Sequence, residues 1–368
     1  MIKKLLVFLA IALTYSCSPT DSTDTNNDIP NDPDNIVVPQ TEYNNIKPSA
    51  TFASKSGNKE RIVVNLLGLI NPSKGLPIDL VADYESGEYN IFLEEDGTLK
   101  GIKLEKVNSN NVLKADVVFT VDNSGSMGQE ADSIAFGIIK FADFLSSSGL
   151  DVQFACVGYS SSINGGVNLT TKEELNHFLE SRLYWGFPVT GTARTFGFYG
   201  ADSAALSAEQ QTGYWRSNSS ENGTVAVLFA DSLYSWRPGA QRVFINFTDE
   251  PTQSSTFGEP TWNTQNMCDK ILGRASVHTV FSRDSSYYSW SETRERPWEM
   301  SLCTGGTSLF IPEDASGLDL TTIPVAGALA NSYKIEFLTS APNDTHSVEI
   351  TVKDEGADGK IKFKNISY

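Results

Sequence analysis

The sequence predicts an α/β fold in which a doubly wound, mostly parallel sheet is inserted in, or flanked by, a β-sandwich. Three observations point there. Between Ala115 and Ile311, apolar strand-like runs alternate with stretches of helical period. Asp116 to Val121 is apolar almost without a break, the texture of a strand buried on both faces of a parallel sheet. On either side of this region, short β-like runs bounded by turn residues follow one another with no helical period.

Taken in order, Arg61 to Leu67, Glu88 to Leu93 and Gly101 to Val107 read as strands. Asn71-Pro72-Ser73-Lys74-Gly75 and Glu95-Asp96-Gly97 read as the turns between them, and Gly101 to Val107 as the return strand of Glu88 to Leu93. Asp116 to Val121 ends in Asp122. Ser133 to Leu145 then carries Ile134, Ile138, Phe141, Phe144 and Leu145 at the spacing of one helix face. Further strands are expected at Asp151–Tyr159, Arg242–Thr248, Ser276–Phe281 and Gly306–Ile311. Helices are expected at Lys172–Leu183, Ala201–Gln211 and Asn263–Leu272. After Ala330 the pattern is β again: Tyr333–Leu338, His346–Lys353 and Lys360–Ile366, the last two joined by a turn at Asp358-Gly359. Three strands alone are marginal, so these are expected to complete a sandwich begun before the α/β region, with two separate small β modules as the alternative.

At the N-terminus, Lys3 and Lys4 precede an apolar run from Leu5 to Leu13, followed by Thr14-Tyr15-Ser16-Cys17. A basic start, a short apolar stretch and a small residue before the cut describe a secretory signal. The run is too short for a transmembrane span, which takes about 20 apolar residues. The cysteine placement resembles a bacterial lipoprotein signal of the Bacteroidetes type, which implies cleavage before Cys17 and lipidation of Cys17. Leu13 lies four rather than three places before Cys17 and Tyr15 is bulky, so ordinary secretion stays as the alternative. Ser18 to Ile46 is rich in Asp, Asn, Thr, Ser and Pro and has no Lys or Arg; such a segment reads as a flexible acidic tether. The expected organisation is therefore signal peptide 1–16, tether 17–46, first part of the sandwich 47–113, α/β domain 114–330 and completing strands 331–368. The lipoprotein resemblance implies the outer membrane, and Asp21 and Asp24 soon after Cys17 point to the cell surface, with the periplasmic face or secretion as alternatives.

Hydrophobic residues make up 40% and charged residues 20%, which fits a globular chain with real cores. The net charge of −17, with no Lys/Arg cluster, argues against a nucleic-acid surface and gives cations a favourable field.

The chemistry is concentrated in Asp122-Asn123-Ser124-Gly125-Ser126, where a strand ends and a helix follows. Open parallel sheets bind ligands at such strand ends. Asp122, Ser124 and Ser126 supply one carboxylate and two hydroxyls at alternate positions. Hard oxygen donors of this kind suit Mg²⁺, Mn²⁺ or Ca²⁺ rather than zinc. A second carboxylate, Asp249, stands at the end of the apolar run Phe244 to Thr248. This set resembles the metal-ion-dependent adhesion site of the von Willebrand factor type A (VWA) family, whose fold is Rossmann-like. The resemblance covers Lys114 to about Pro312 and includes Thr304-Gly305-Gly306 before the final α/β strand. It implies a Thr ligand from a Gly-rich loop, and Thr192 is the choice here, with Thr190 and Thr195 as alternatives. It also implies a divalent cation, Mg²⁺ first and Mn²⁺ or Ca²⁺ behind it. One open coordination position would take a carboxylate of a protein or extracellular-matrix ligand. Glu130 sits where some members place a ligand of an adjacent second ion, but the usual acidic pair is Gln129-Glu130 here. Glu250 reads either as a tuner of the local field or as a solvated loop residue.

Tyr214, Trp215, Tyr234 and Trp236 lie in the long stretch from Thr212 to Gly239 and read either as a partner-gripping set or as cover for an apolar patch. Cys156 reads as a buried thiol, and Cys268 with Cys303 as a possible disulfide in an oxidising compartment. His177, His278 and His346 have no ligand-spaced neighbour, Ser126 lacks the Gly-x-Ser-x-Gly elbow, and no phosphate loop is present. The motif hydroxyls therefore read as ligands, and the chain as a binding or adhesion protein rather than an enzyme. A structural or assembly subunit of a surface appendage or envelope complex is the second class, and a metal-dependent hydrolase the third.

Overall fold

The structure is a computed structural model and describes residues 26–106, 114–147, 150–184, 187–188, 198, 200–201, 213–217, 221–254, 262–322 and 331–368. Two four-stranded antiparallel sheets face each other. One holds Ala50–Lys55, Asn58–Leu66, Tyr333–Leu338 and Lys103–Lys106 in that spatial order. The other holds Ala357–Ser367, Thr345–Asp354, Ile91–Glu95 and Thr98–Leu99. Alternate side chains turn inward, as a strand's period of two requires: Ile62, Val64, Leu66, Ile335 and Phe337 meet Ile91, Leu93, Val348, Ile350 and Val352 in one core. On the edge strand Ala357–Ser367, Ile361 and Phe363 are buried while Lys362 and Lys364 are exposed, a charge pattern that blunts edge-to-edge pairing. Strands from both ends of the chain are thus paired within each sheet.

Two local expectations differ. Lys103–Lys106 pairs with Tyr333–Leu338, while Ile91–Glu95 takes the short Thr98–Leu99 as its return. The final hairpin turns at Glu355-Gly356, since Asp354 pairs with Ala357 and Asp358 with Lys353. Gly356 has φ +69°, which a tight turn needs and glycine tolerates.

The third sheet has seven strands in the order Gly200–Ala201, Ile163–Thr170, Asp151–Tyr159, Lys114–Asp122, Gln241–Thr248, Ala275–Phe281 and Ser308–Phe310. Lys114–Asp122 is central and parallel to both neighbours. Ile163–Thr170, however, runs antiparallel to Asp151–Tyr159 after a three-residue return. The sheet is therefore mixed. The expected α/β class, a doubly wound, mostly parallel VWA or Rossmann-like sheet, does not describe this chain. Among the described residues, strand accounts for 39% and helix for 21%, and two of the three large sheets are wholly antiparallel. The reason is legible at Ile163–Thr170: its Gly165-Gly166 pair and its two asparagines, Asn164 and Asn168, hide a strand from a search for apolar runs, and the strand reverses the sheet's direction there.

Residues of Lys114–Asp122 alternate between two cores. Val117, Phe119 and Val121 pack with Ile134, Ile138 and Phe141 of the Ala131–Ser147 helix and Leu175 and Leu179 of the Lys172–Glu180 helix. Val118 packs with Val225 to Ala230 of the Gly223–Leu233 helix and with Met267 and Ile271 of the Thr264–Ile271 helix. Each fully buried large side chain contributes about 1.5–3 kcal/mol, so both faces of this central strand are held firmly. Thr171 caps the Lys172–Glu180 helix by accepting from the Glu174 amide, and the helix stops at Glu180 rather than Leu183, where the Ser181 backbone leaves helical geometry at φ −100° and ψ 20°. The Gly223–Leu233 helix lies in the stretch between Trp215 and Tyr234. The expected Ala201–Gln211 helix falls almost wholly outside the described residues.

The tether expectation does not hold for residues 26–46. Asp28 pairs with buried Arg61 at 2.6 Å, and Asp32 accepts from Lys100 Nζ at 2.7 Å and the Gly101 amide at 2.9 Å. A Cβ on Gly101 would meet Pro30 O at 2.1 Å, so this crossing requires glycine. Composition alone missed these specific pairings. Among the described residues, no helix is long and apolar enough to cross a membrane. Cys17 and the signal segment lie outside the described residues.

Candidate metal site

Parallel pairing fixes what meets at the ends of the central strands. Val121 is level with Phe247, and Thr248 with Phe281. The next residues along each strand, Asp122, Asp249, Ser282 and Arg283, are therefore delivered to one end of the sheet. Asp122 and Asp249 are both fully buried. Ser124 and Ser126 are half-buried, and Gly125 between them is exposed.

A chain of hydrogen bonds joins the expected ligands. The Ser124 amide donates to Asp122 Oδ1 at 3.0 Å, closing the loop back on its own strand end. The Ser124 and Ser126 hydroxyls are 3.0 Å apart, and Ser126 Oγ donates to Asp249 Oδ1 at 2.9 Å. Thr248 Oγ1 donates to Asp122 Oδ2 at 2.7 Å. Asp122, Ser124, Ser126 and Asp249 are thus brought together. Thr192, with Thr190 and Thr195, lies outside the described residues.

Asn123 anchors the loop from behind. Its amide donates to Tyr159 O at 2.5 Å, its Nδ2 to Asn164 Oδ1 at 3.1 Å, and its Oδ1 accepts from the Phe198 amide at 3.1 Å. Beneath, Asn246 Oδ1 accepts from Thr120 Oγ1 and Tyr159 OH at 2.8 and 3.0 Å. Apart from Asn246 Nδ2, which has no partner among the described residues, these polar groups are paired and rigidify the strand ends.

The electrostatics favour a cation. Burial, then the negative charges of Asp249 and Glu221, push the Asp122 carboxyl well above the usual carboxylate range. Burial raises Glu250 as well, and the Tyr288 hydroxyl hydrogen-bonds to it. Glu130 is fully buried; its Oε1 accepts from Ser282 Oγ at 2.5 Å and its Oε2 has no partner among the described residues. Arg283 is the one strong positive group on these carboxylates among the described residues. Its Nη2 and Nε reach Asp249 Oδ2 at 2.8 and 3.1 Å, and Nη2 also reaches Glu313 at 3.1 Å.

No cluster of three or more His, Cys, Asp or Glu is arranged to hold a metal among the described residues. A cation here would rely on hydroxyl as well as carboxylate oxygens. The donor set of two carboxylates and two serine hydroxyls fits a hard divalent ion, and does not fit zinc.

Sequence reasoning missed Arg283, Ser282 and Glu221. Arg283 had a usable signal, since it follows the Ala275–Phe281 strand end much as Asp249 follows Thr248. The aromatic stretch takes the plainer of its two readings. Tyr234 is buried with its hydroxyl on Cys156 O, and Trp215 and Trp236 pack onto the second core; Tyr214 alone is exposed. Cys156 is a buried free thiol and Cys268 is joined to Cys303.

No family model matches the chain, and no curated protein matches it. Among solved structures, the pilus adhesin SpaC from Lactobacillus rhamnosus GG in its open conformation is similar at 13% identity and a TM-score of 0.36. That similarity covers 95% of this chain and 50% of the adhesin, so the chain spans about half the adhesin's length. A likeness at this score carries no inference about ligand or partner.

Proposed function

We propose that this protein binds a divalent cation, Mg²⁺ in the first place, through Asp122, Ser124, Ser126 and Asp249, and that the ion holds a carboxylate of a protein or matrix partner at the cell surface. One observation carries the reading. Two fully buried carboxylates from neighbouring strand ends are linked through the Ser124 amide and the Ser124 and Ser126 hydroxyls. Two like charges buried side by side are costly; Arg283 is paired with Asp249 and not with Asp122, and an oxygen-ligated cation would compensate both. The motif's resemblance to a metal-ion-dependent adhesion site supports the same reading. Thr192, or Thr190 or Thr195 in its place, would add a donor. With only two carboxylates on it, the ion would keep enough positive character to attract a third from a partner. Lipidation at Cys17 would place the protein on the outer membrane.

The test uses the full chain. Thermal unfolding is followed with Mg²⁺ or Mn²⁺ and with chelator, for the wild type and Asp122→Ala, and surface proteins are captured under the same conditions. Metal should raise the melting temperature of the wild type alone, and capture should be lost with chelator and with Asp122→Ala. Capture that is indifferent to both changes would overturn the reading.

A further inference from the structure

We propose that Arg283 is a built-in competitor for the divalent ion: its guanidinium neutralises Asp249 when no ion is bound and moves onto Glu313 when one is. This rests on the cation-site reading above and concerns how that site is regulated. Both Arg283 contacts to Asp249 fall on a single oxygen, Oδ2, while Oδ1 takes the Ser126 hydroxyl. Asp249 is fully buried, so its charge needs compensation from inside the protein. Arg283 supplies it.

The guanidinium also has somewhere to go. Its Nη2 already lies 3.1 Å from Glu313 Oε1, and Glu313 is half exposed. The ring of Tyr287 lies under it at 4.6 Å, and Tyr287 is itself exposed. Arg283 therefore bridges a buried carboxylate and a surface one, with an aromatic face that accepts a cation along the way. A divalent ion ligated by Asp249 would stand beside this positive charge, and at such separations the repulsion inside a protein is strong. The resident arginine thus lowers the site's affinity for the ion, and the site fills only when the ion's gain exceeds the loss of the Arg283–Asp249 pair.

This predicts the opposite of what a merely supporting arginine would show. If Arg283 only held Asp249 in place, removing it would weaken metal binding. On the competitor reading, Arg283→Gln binds the ion more tightly, although without metal it is less stable because Asp249 is left unpaired.

The experiment titrates Mn²⁺ alone into the full chain by calorimetry, with melting temperatures measured with and without the ion. Arg283→Gln should bind Mn²⁺ about tenfold or more tighter than the wild type. Its melting temperature should be lower in chelator and recover with metal. Arg283→Lys, which keeps the charge, should bind much as the wild type does. Glu313→Gln, which removes the second resting place, should bind several-fold more weakly. Equal or weaker binding by Arg283→Gln overturns the proposal, as does an unchanged Glu313→Gln. If neither the wild type nor Arg283→Gln takes up Mn²⁺, the cation-site reading fails and this one with it; a wild type that binds while Arg283→Gln binds no better sinks the competitor role alone.

Discussion

Thr248 Oγ1 donates a 2.7 Å hydrogen bond to Asp122 Oδ2, so the last residue of one central strand holds the last residue of its neighbour. Neither group touches bulk water to any extent. The bond thus does two things: it satisfies a buried carboxyl oxygen, and it fixes which way Asp122 faces. Thr248→Val keeps the shape and removes the donor. The loss should cost about 1–3 kcal/mol, the range for stranding a buried polar partner. Urea denaturation of the two proteins checks this, and equal midpoints would show that another donor satisfies Asp122.

Glu130 gives the site a pH signature. Burial drives its carboxyl up to about 7, against the opposing Ser282 hydrogen bond, from an ordinary value of 4.5. The folded state therefore binds this proton more tightly than the unfolded chain does. Its contribution is fully present below about pH 4.5 and declines as pH rises toward 7, by on the order of 3 kcal/mol. Glu130→Gln should flatten that decline, being close to wild type at pH 4 and more stable at pH 8. Denaturation curves at the two pH values decide it; parallel behaviour of both proteins would mean that Glu130 is ionised in the fold at little cost.

Much of this site was legible because strand ends obey simple rules. The near-continuous apolar runs before Asp122 and Asp249 announced buried parallel neighbours, and the residue after each run had to land at one edge of the sheet. Arg283 obeys the same rule but follows a run with three polar interruptions, Ser276, His278 and Thr279, and arginine is not a metal-ligand residue type. Ile163–Thr170 escaped for a different reason. Only Ile163 and Val167 bury apolar side chains there, and the rest of its burial comes from glycine and the close approach of neighbouring backbone: a Cβ on Gly166 would meet Cys156 O at 2.5 Å. The Gly223–Leu233 helix is buried along nearly its whole length, so it has no polar face to produce a helical period. Residues 26–46 show the limit of composition. Few apolar groups and many carboxylates read as a tether, yet paired charges such as Asp28 with Arg61 hold the segment down.

The Cys268–Cys303 bond ties the Thr264–Ile271 helix to the Glu299–Thr304 helix across 35 positions of sequence. The loop it closes contains Ser282 and Arg283, so the bond also limits how far the arginine's segment can wander in the unfolded chain. Closing a loop of this length stabilises a fold by roughly 4 kcal/mol on the chain-entropy view. The double variant Cys268→Ser/Cys303→Ser should lose stability of that order in urea, and reductant should do the same to the wild type while leaving the variant unchanged. A reductant effect on the variant would point to some other bond.

Asp358 holds the N-terminal segment against the sandwich. Its Oδ2 accepts from the Glu42 amide at 2.7 Å, and its Oδ1 from the Tyr43 and Asn44 amides at 3.0 and 2.6 Å. Its own amide donates to Asn45 Oδ1, and its carbonyl accepts from the Ile46 amide. Burial works against the charge, but the three amides outweigh it and hold the carboxyl below the usual range. The stabilisation is therefore present above the ordinary carboxylate pKa and is lost only as pH falls through the depressed value. Asp358→Ala removes the acceptor of all three amides, and charged hydrogen bonds of this kind are worth roughly 1.5–3 kcal/mol. Hydrogen exchange at Glu42, Tyr43 and Asn44 should accelerate at pH 7, and protease should cut within residues 40–46. The Thr345–Asp354 amides should keep their protection, because their ladder to Ile91–Glu95 is untouched. Asp358→Asn, which keeps one acceptor oxygen, should fall between the two. Slow exchange at all three amides in Asp358→Ala would place the hold elsewhere, at the Asp28–Arg61 and Asp32–Lys100 pairs further along the same segment.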